Sequence, residues 1–202
     1  MITTSSFGRL LKLLAIIEVS TCCVGLVAAH AGEVASKSAA PAAGPEEITV
    51  ASDGCAIKKF FVPSKSMGRE IQTVVVLPPE YAVKTGARYP VLYGLHGSGG
   101  SHAAWSSMPP LRRSLREHPM LVVSFDGDAE GWYIDATQKP ESQFATFFFD
   151  ELVPYIDTHY RTRADGKSRG VTGFSMGGLW GVSIYAHASG AVCLRELLER
   201  CL

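Results

Sequence analysis

The sequence predicts an α/β fold with parallel strands at its centre, and three observations carry that expectation. Short apolar runs alternate with segments of helical period along the chain, which is the pattern of strands joined by helices. Two of the runs, Tyr89 to Leu95 and Met120 to Phe125, are apolar almost throughout, as strands covered on both faces are. A third run ends in a serine set between glycines, and a further apolar segment follows without a break.

The 202 residues suit one domain, and 47% hydrophobic against 19% charged residues supply a core. Nineteen basic and nineteen acidic residues give a formal charge of zero, so there is no footprint for nucleic acid or an anionic membrane. Residues 1–31 read as a signal peptide. Arg9 and Lys12 form its positive region, roughly 11 apolar residues run from Val19 to Ala29, and Ala29-His30-Ala31 is a small-x-small cleavage site. Glu18 breaks the apolar stretch, and a carboxylate at the centre of a spanning helix costs about 2.5–3.5 kcal/mol. Cleavage after Ala31 is the first expectation and an uncleaved anchor the second. Cys22 follows Val19-Ser20-Thr21, which lacks the leucine that usually opens a lipobox. Export to a secreted or periplasmic location, with no stable membrane insertion after cleavage, follows from this segment. Cys55, Cys193 and Cys201 would remain in the mature chain, without metal-ligand spacing and with at most one bridge among them. Residues 32–47, rich in Ala, Ser, Pro and Gly, read as a flexible linker.

The domain, 48–190, then unfolds in order. Ala56 to Val62 and Glu70 to Leu77 are strands, bounded by Pro63-Ser64 and Pro78-Pro79, and Val74-Val75-Val76 suits a pleated surface. The two continuous runs are the third and fourth strands, separated by the glycine-rich loop His96 to Ser101 and a helix starting near Pro109-Pro110. A helix is expected from about Pro140 to His159, because Phe144, Phe147, Phe148, Leu152, Tyr155 and Ile156 recur at helical spacing. Pro154 should kink it, since a helix-interior proline lacks the N–H and clashes with the preceding turn. Gly170 to Phe174 is a fifth strand and Met176 to Ala188 a helix.

Gly173-Phe174-Ser175-Met176-Gly177 is the G-x-S-x-G pattern of a nucleophile elbow. The chain turns there from strand to helix, so larger side chains at the glycines would collide, and the helix start turns its N–H groups towards an oxyanion. Upstream, Leu95-His96-Gly97-Ser98-Gly99-Gly100 leaves the third strand, where a slim loop can offer a second main-chain N–H. His96 precedes the serine, whereas hydrolases of this kind place the catalytic histidine last; it reads as a structural histidine that props the loop.

Four motifs in order carry a family resemblance: Tyr89-Pro90-Val91-Leu92-Tyr93-Gly94-Leu95-His96-Gly97, then Asp126-Gly127, then Glu151-Leu152-Val153-Pro154-Tyr155-Ile156-Asp157, then Gly173-Phe174-Ser175-Met176-Gly177-Gly178. Together they resemble the α/β-hydrolase esterases that include esterase D (S-formylglutathione hydrolase), feruloyl and acetyl-xylan-type esterases, enterochelin esterases and the mycolyltransferases, over roughly Glu70 to Ala188. The resemblance implies the α/β-hydrolase fold, Ser175 as nucleophile, and the N–H groups of Ser98 and Met176 as the oxyanion hole. It places Trp132 and Tyr133 where the family lines its acyl or alcohol site, with packing as the equal alternative. It implies ester or thioester substrates, small or polysaccharide-linked, and neither cofactor nor metal; the oligomeric state is not legible.

The sequence departs from that family after the elbow. The expected chain order is Ser, then Asp or Glu, then His, yet beyond Ser175 stand only His187, Glu196 and Glu199. His187, twelve residues along the same helix, would lie about 18 Å away at 1.5 Å per residue, far outside the ~2.6–3.2 Å a base needs. Residues 191–202 read as a divergent tail, and about three later strands of the family are not matched, so the expectation is a C-terminally truncated or frame-shifted chain. Impaired hydrolysis and an aggregation-prone outer fifth strand follow from that expectation. An acyltransferase of the mycolyltransferase type, a non-catalytic carbohydrate- or lipid-binding chain and a non-functional fragment stay open as alternatives.

Overall fold

The computed structural model describes residues 46–180. The expected signal peptide, all but the end of the linker, the elbow helix beyond residue 180, the tail, His187 and the cysteines other than Cys55 lie outside the described residues.

Six strands form one mixed sheet: β1 Glu47–Val50, β2 Ala56–Ser64, β3 Arg69–Leu77, β4 Val91–Leu95, β5 Leu121–Phe125 and β6 Arg169–Gly173. Their spatial order is β1-β2-β3-β5-β4-β6. The first three run antiparallel, with β3 antiparallel to β5, while β5, β4 and β6 are mutually parallel. The parallel centre is as the two apolar runs predict. The antiparallel half follows from the tight β2–β3 hairpin, whose turn includes Gly68 at φ +63°. β1 was not anticipated. It begins one residue inside the expected linker and shows its whole length to solvent, including Ile48 and Val50, so no buried apolar pattern marks it.

The strand pattern divides the core between two faces. Along β3, Ile71, Val75 and Leu77 join the larger cluster, while Val74 and Val76 join Cys55, Trp105, Leu115 and Val122 on the other side. On β5, Leu121, Val123 and Phe125 face the first cluster and Val122 the second. Both faces are covered, so these strands have no polar alternation.

The second face is covered by the short helix Pro109–Ser114 and its approach. The first face carries one continuous helical run, 144–159, composed of α-helix at Phe144–Thr146, π-helix at Phe147–Leu152 and α-helix at Val153–His159. It starts four residues later than expected, after an irregular stretch in which Gln143 Nε2 donates to the carbonyls of Ala136 and Lys139. Phe144, Phe147, Phe148, Leu152 and Ile156 are buried beneath it and Tyr155 is partly buried. The helix meets Pro154 with a π segment directly before it, which accommodates a residue that cannot donate to the turn behind it.

Glu151 fastens this helix to the β2–β3 turn. Its carboxylate accepts from the N–H groups of Lys65 and Ser66 at 3.0 and 2.9 Å and from the hydroxyls of Ser64 and Ser66 at 2.7 and 3.2 Å. At the helix's other end Asp157 accepts from the Thr162 hydroxyl at 2.6 Å and from the Arg169 guanidinium at the start of β6. Among the described residues β6 lies at one end of the sheet, and its carboxyl end, like those of β4 and β5, delivers the loops described next.

Candidate active site

β6 ends at Gly173, and residues 176–180 are helical, so the strand becomes a helix across Phe174 and Ser175. Ser175 adopts φ +47°, a left-handed conformation that costs a non-glycine residue of order 1–3 kcal/mol. The helix returns so closely that a Cβ on Gly173 would stand 2.4 Å from the carbonyl carbon of Gly177. One on Gly177 would stand 2.6 Å from Leu95 Cβ and 2.8 Å from the Leu95 carbonyl oxygen. Ser175 is exposed at the crest of this bend, and Met176 is buried behind it.

The loop after β4 runs beside the serine. Phe174 N–H donates to the Leu95 carbonyl at 3.2 Å, and a Cβ on Gly97 would lie 3.6 Å from Ser175 Cβ. Gly100 N–H donates to the Gly97 carbonyl at 2.9 Å, closing a turn in which Gly99 has φ +71° and Ser98 is exposed. Ala129 O accepts from the Ser98 hydroxyl at 2.9 Å and from Gly99 N–H at 3.2 Å. Among the described residues no partner accepts from the main-chain N–H of Ser98 or of Met176. The structure therefore brings Gly97, Ser98, Ser175 and Met176 to one place.

His96 is buried at the root of the loop, with both ring nitrogens engaged. Nδ1 lies 2.8 Å from the Gly97 carbonyl and Nε2 accepts from Gly127 N–H at 2.9 Å. The proton therefore sits on Nδ1, and His96 props the loop. The Asp126 carboxylate lies 3.7 Å from His96 Nε2 and 3.9 Å from His102 Nδ1. Burial holds His102 below the ordinary imidazole range, against the opposing pull of that carboxylate.

Trp132 is half exposed and Tyr133 is not exposed at all. Of the two alternatives for Tyr133, its burial matches packing: its ring lies among Phe125, Phe144 and Trp180, and its hydroxyl is held by the main chain of His96. Nothing in a Trp-Tyr pair tells which of the two turns inward. Sequence reasoning also missed Trp105, whose ring stacks on the half-exposed Phe174 at 4.7 Å. Only chain reversal brings these together, and no local pattern signals it. Among the described residues no three metal-ligating side chains converge, and no helix is long and apolar enough to cross a membrane.

Residues 64–191 match a family described as Putative esterase. A Mycobacterium tuberculosis protein named as an esterase is 35% identical over 129 residues, spanning 58% of this chain and 27% of its own length. A Xylanibacter ruminicola protein named endo-1,4-beta-xylanase/feruloyl esterase is 33% identical over 127 residues, spanning 57% of this chain and 18% of its own. The chain thus spans about a quarter or less of the length of these curated relatives. The structure of an S-formylglutathione hydrolase from Agrobacterium tumefaciens aligns with a TM-score of 0.62 at 25% identity, over 70% of this chain and 56% of that one. A ferulic acid esterase aligns with the same score and identity, over 69% and 58%. The fold they share with this chain is that of the α/β-hydrolase esterases, of which 46–180 covers part.

Proposed function

Because the chain belongs to the Putative esterase family, we propose that it is a serine carboxylic-ester hydrolase working through an acyl-enzyme on Ser175. The observation that carries this reading is the exposed Ser175 at φ +47°, turned up between Gly173 and Gly177 beside the loop that follows Leu95. In the first step Ser175 Oγ bonds to the ester carbonyl carbon, and the carbonyl electron pair moves onto its oxygen. The N–H groups of Ser98 and Met176 are the donors assigned to that oxyanion. Collapse of the tetrahedral species breaks the bond to the alcohol, which leaves with a proton. Water then adds to the acyl carbon, and Ser175 regains its proton as the carboxylic acid departs.

The proton acceptor is where the reading is most exposed to test. His96 has both nitrogens committed within the loop, and His187, the histidine that follows Ser175 in the sequence, lies outside the described residues. Small or polysaccharide-linked esters are the proposed substrates. Resemblance to a protein named as a xylanase and feruloyl esterase supports the second kind. Export belongs to the same proposal and rests on Arg9, Lys12, the apolar run from Val19 to Ala29 and the cleavage site Ala29-His30-Ala31. Trp132, half exposed beside the buried Tyr133, is proposed to face the ester.

Hydrolysis of 4-nitrophenyl acetate and labelling by a fluorophosphonate, each compared with Ser175→Ala, test this reading. The expected result is turnover and labelling, both abolished by the substitution. Turnover or labelling that is unchanged in Ser175→Ala overturns Ser175 as nucleophile.

A further inference from the structure

We infer that Tyr133 is a positioning residue for the oxyanion loop, acting through its hydroxyl on the main chain of His96; the inference rests on the esterase reading and deepens it. The hydroxyl accepts from His96 N–H at 3.0 Å and donates to the His96 carbonyl at 3.2 Å. Both main-chain groups of the residue that opens the loop are therefore fixed by one side-chain atom, two residues before the N–H of Ser98. The phenol is fully buried, and burial pushes its acidity far below that of a free tyrosine, so it keeps the proton it donates.

Tyr133 is the innermost of several grips that the 127–133 segment has on this loop. Gly127 N–H donates to His96 Nε2, and Ala129 O receives the Ser98 hydroxyl and Gly99 N–H. The segment reaches that arrangement through strain: Asp128, Trp132 and Tyr133 have φ +57°, +52° and +56°. Tyr133 lies so close over Gly127 that a Cβ there would stand 2.1 Å from its ring. A phenylalanine would fill the same aromatic pocket between Phe125, Phe144 and Trp180, so the hydroxyl alone ties this ring to the main chain of the loop. What the strain secures is the direction of the amides beside Ser175, whose displacement by about 1 Å costs on the order of 100-fold in rate.

Tyr133→Phe removes the hydroxyl and keeps the ring. Hydrogen exchange by mass spectrometry on the full chain reads the loop directly: peptides over 96–99 are expected to exchange about fivefold faster in the variant, the hydrogen bond lost from the His96 amide being worth about 1 kcal/mol. Peptides from the 144–159 helix are expected not to change. The rate of Ser175 labelling by a fluorophosphonate is expected to fall by about 10–100-fold. Unchanged exchange at 96–99, or acceleration spread evenly through the domain, overturns the inference, as does unaltered labelling beside faster loop exchange. If Tyr133→Phe fails to fold, exchange of the His96 amide in the wild-type chain, read by NMR, decides instead: protection comparable to that of the 144–159 helix supports the grip of the Tyr133 hydroxyl on that amide, and exchange as fast as that of the Ser98 amide overturns it. A wild-type chain that is not labelled at Ser175 overturns the nucleophile reading instead, and the exchange comparison still decides whether Tyr133 holds the loop.

Discussion

Replacing Gly177 by alanine sets two opposing effects against each other, and the structure gives the winner. Alanine favours a helix over glycine by up to about 1 kcal/mol, so an open site at this point would gain stability. Here the new Cβ would stand 2.6 Å from Leu95 Cβ, 2.8 Å from the Leu95 carbonyl oxygen and 2.9 Å from that of His96. Carbon atoms rest about 3.5–4.0 Å apart, so the helix and the end of β4 must separate by roughly 1 Å. Two of the three obstacles are main-chain carbonyls, that of Leu95 held by Phe174 N–H and that of His96 by the Tyr133 hydroxyl, which cannot turn aside as a side chain can. Overpacking of this kind costs about 1–3 kcal/mol; the net loss is about 1–2 kcal/mol. At about 2–4 °C per kcal/mol for a domain of this size, the melting temperature falls by roughly 2–8 °C. The displacement also parts Ser175 from the loop after Leu95, so labelling by a fluorophosphonate should slow by about 100-fold. Gly178→Ala is the control, since its nearest obstacle is at 3.2 Å and its effects should be smaller on both measures. A Gly177→Ala protein that melts at or above the wild-type temperature and labels at the wild-type rate refutes the elbow geometry.

Two further predictions concern what holds the frame. Glu151→Ala strips four acceptor contacts from the β2–β3 turn, and with charged hydrogen bonds worth about 1.5–3 kcal/mol it should lower the urea-derived stability by about 2–3 kcal/mol; a loss under 0.5 kcal/mol contradicts the role given to that carboxylate. Burial pushes the Asp53 carboxyl up, but Arg112 at 2.8 Å and the N–H of Cys55 outweigh it and hold it below its ordinary 3.8. The unfolded chain then binds the proton first, so the contribution is complete above the ordinary value and is lost as pH falls through the lowered one. Asp53→Asn should therefore be less stable than wild type at pH 7, with the difference in urea midpoint narrowing towards pH 3; a constant difference speaks against it.

The legible parts of this fold share one property: their evidence is local and repeated. Val74-Val75-Val76, Tyr89 to Leu95 and Met120 to Phe125 announce strands because their residues are buried or partly buried on one face or the other. The phenylalanines of the 144–159 helix announce a face because five of them or their aliphatic successors fall beneath it. β1 escaped for the converse reason, since Glu47 to Val50 pair only through main-chain atoms and present no buried side. The late start of the long helix is settled by Gln143 binding the carbonyls of Ala136 and Lys139, a contact that no periodicity encodes. At the site, Ser175 and the glycines around it were readable because steric demand selects residue types at fixed spacing. Tyr133 was not, because its partner lies 37 positions away and either of two adjacent aromatics could have turned inward.

Where the backbone is strained says more than where it is apolar. Among the described residues four non-glycine positions have positive φ: Asp128, Trp132, Tyr133 and Ser175. Each costs of order 1–3 kcal/mol, against a whole-domain stability of about 5–15 kcal/mol, so they persist only because the surrounding contacts over-determine them. Three lie in one segment and the fourth is the serine, and both places border on the turn from Gly97 to Gly100. Glycine would relieve the strain at any of the four, yet the sequence carries a tryptophan, a tyrosine, an aspartate and a serine there. A chain shaped only to be stable has no use for that combination. Under the proposed esterase reading, two amides and a hydroxyl must keep a fixed relation, and side chains at the strained positions tie the segment down: the Arg69 guanidinium grips Asp128 in a bidentate pair, and Tyr133 grips His96.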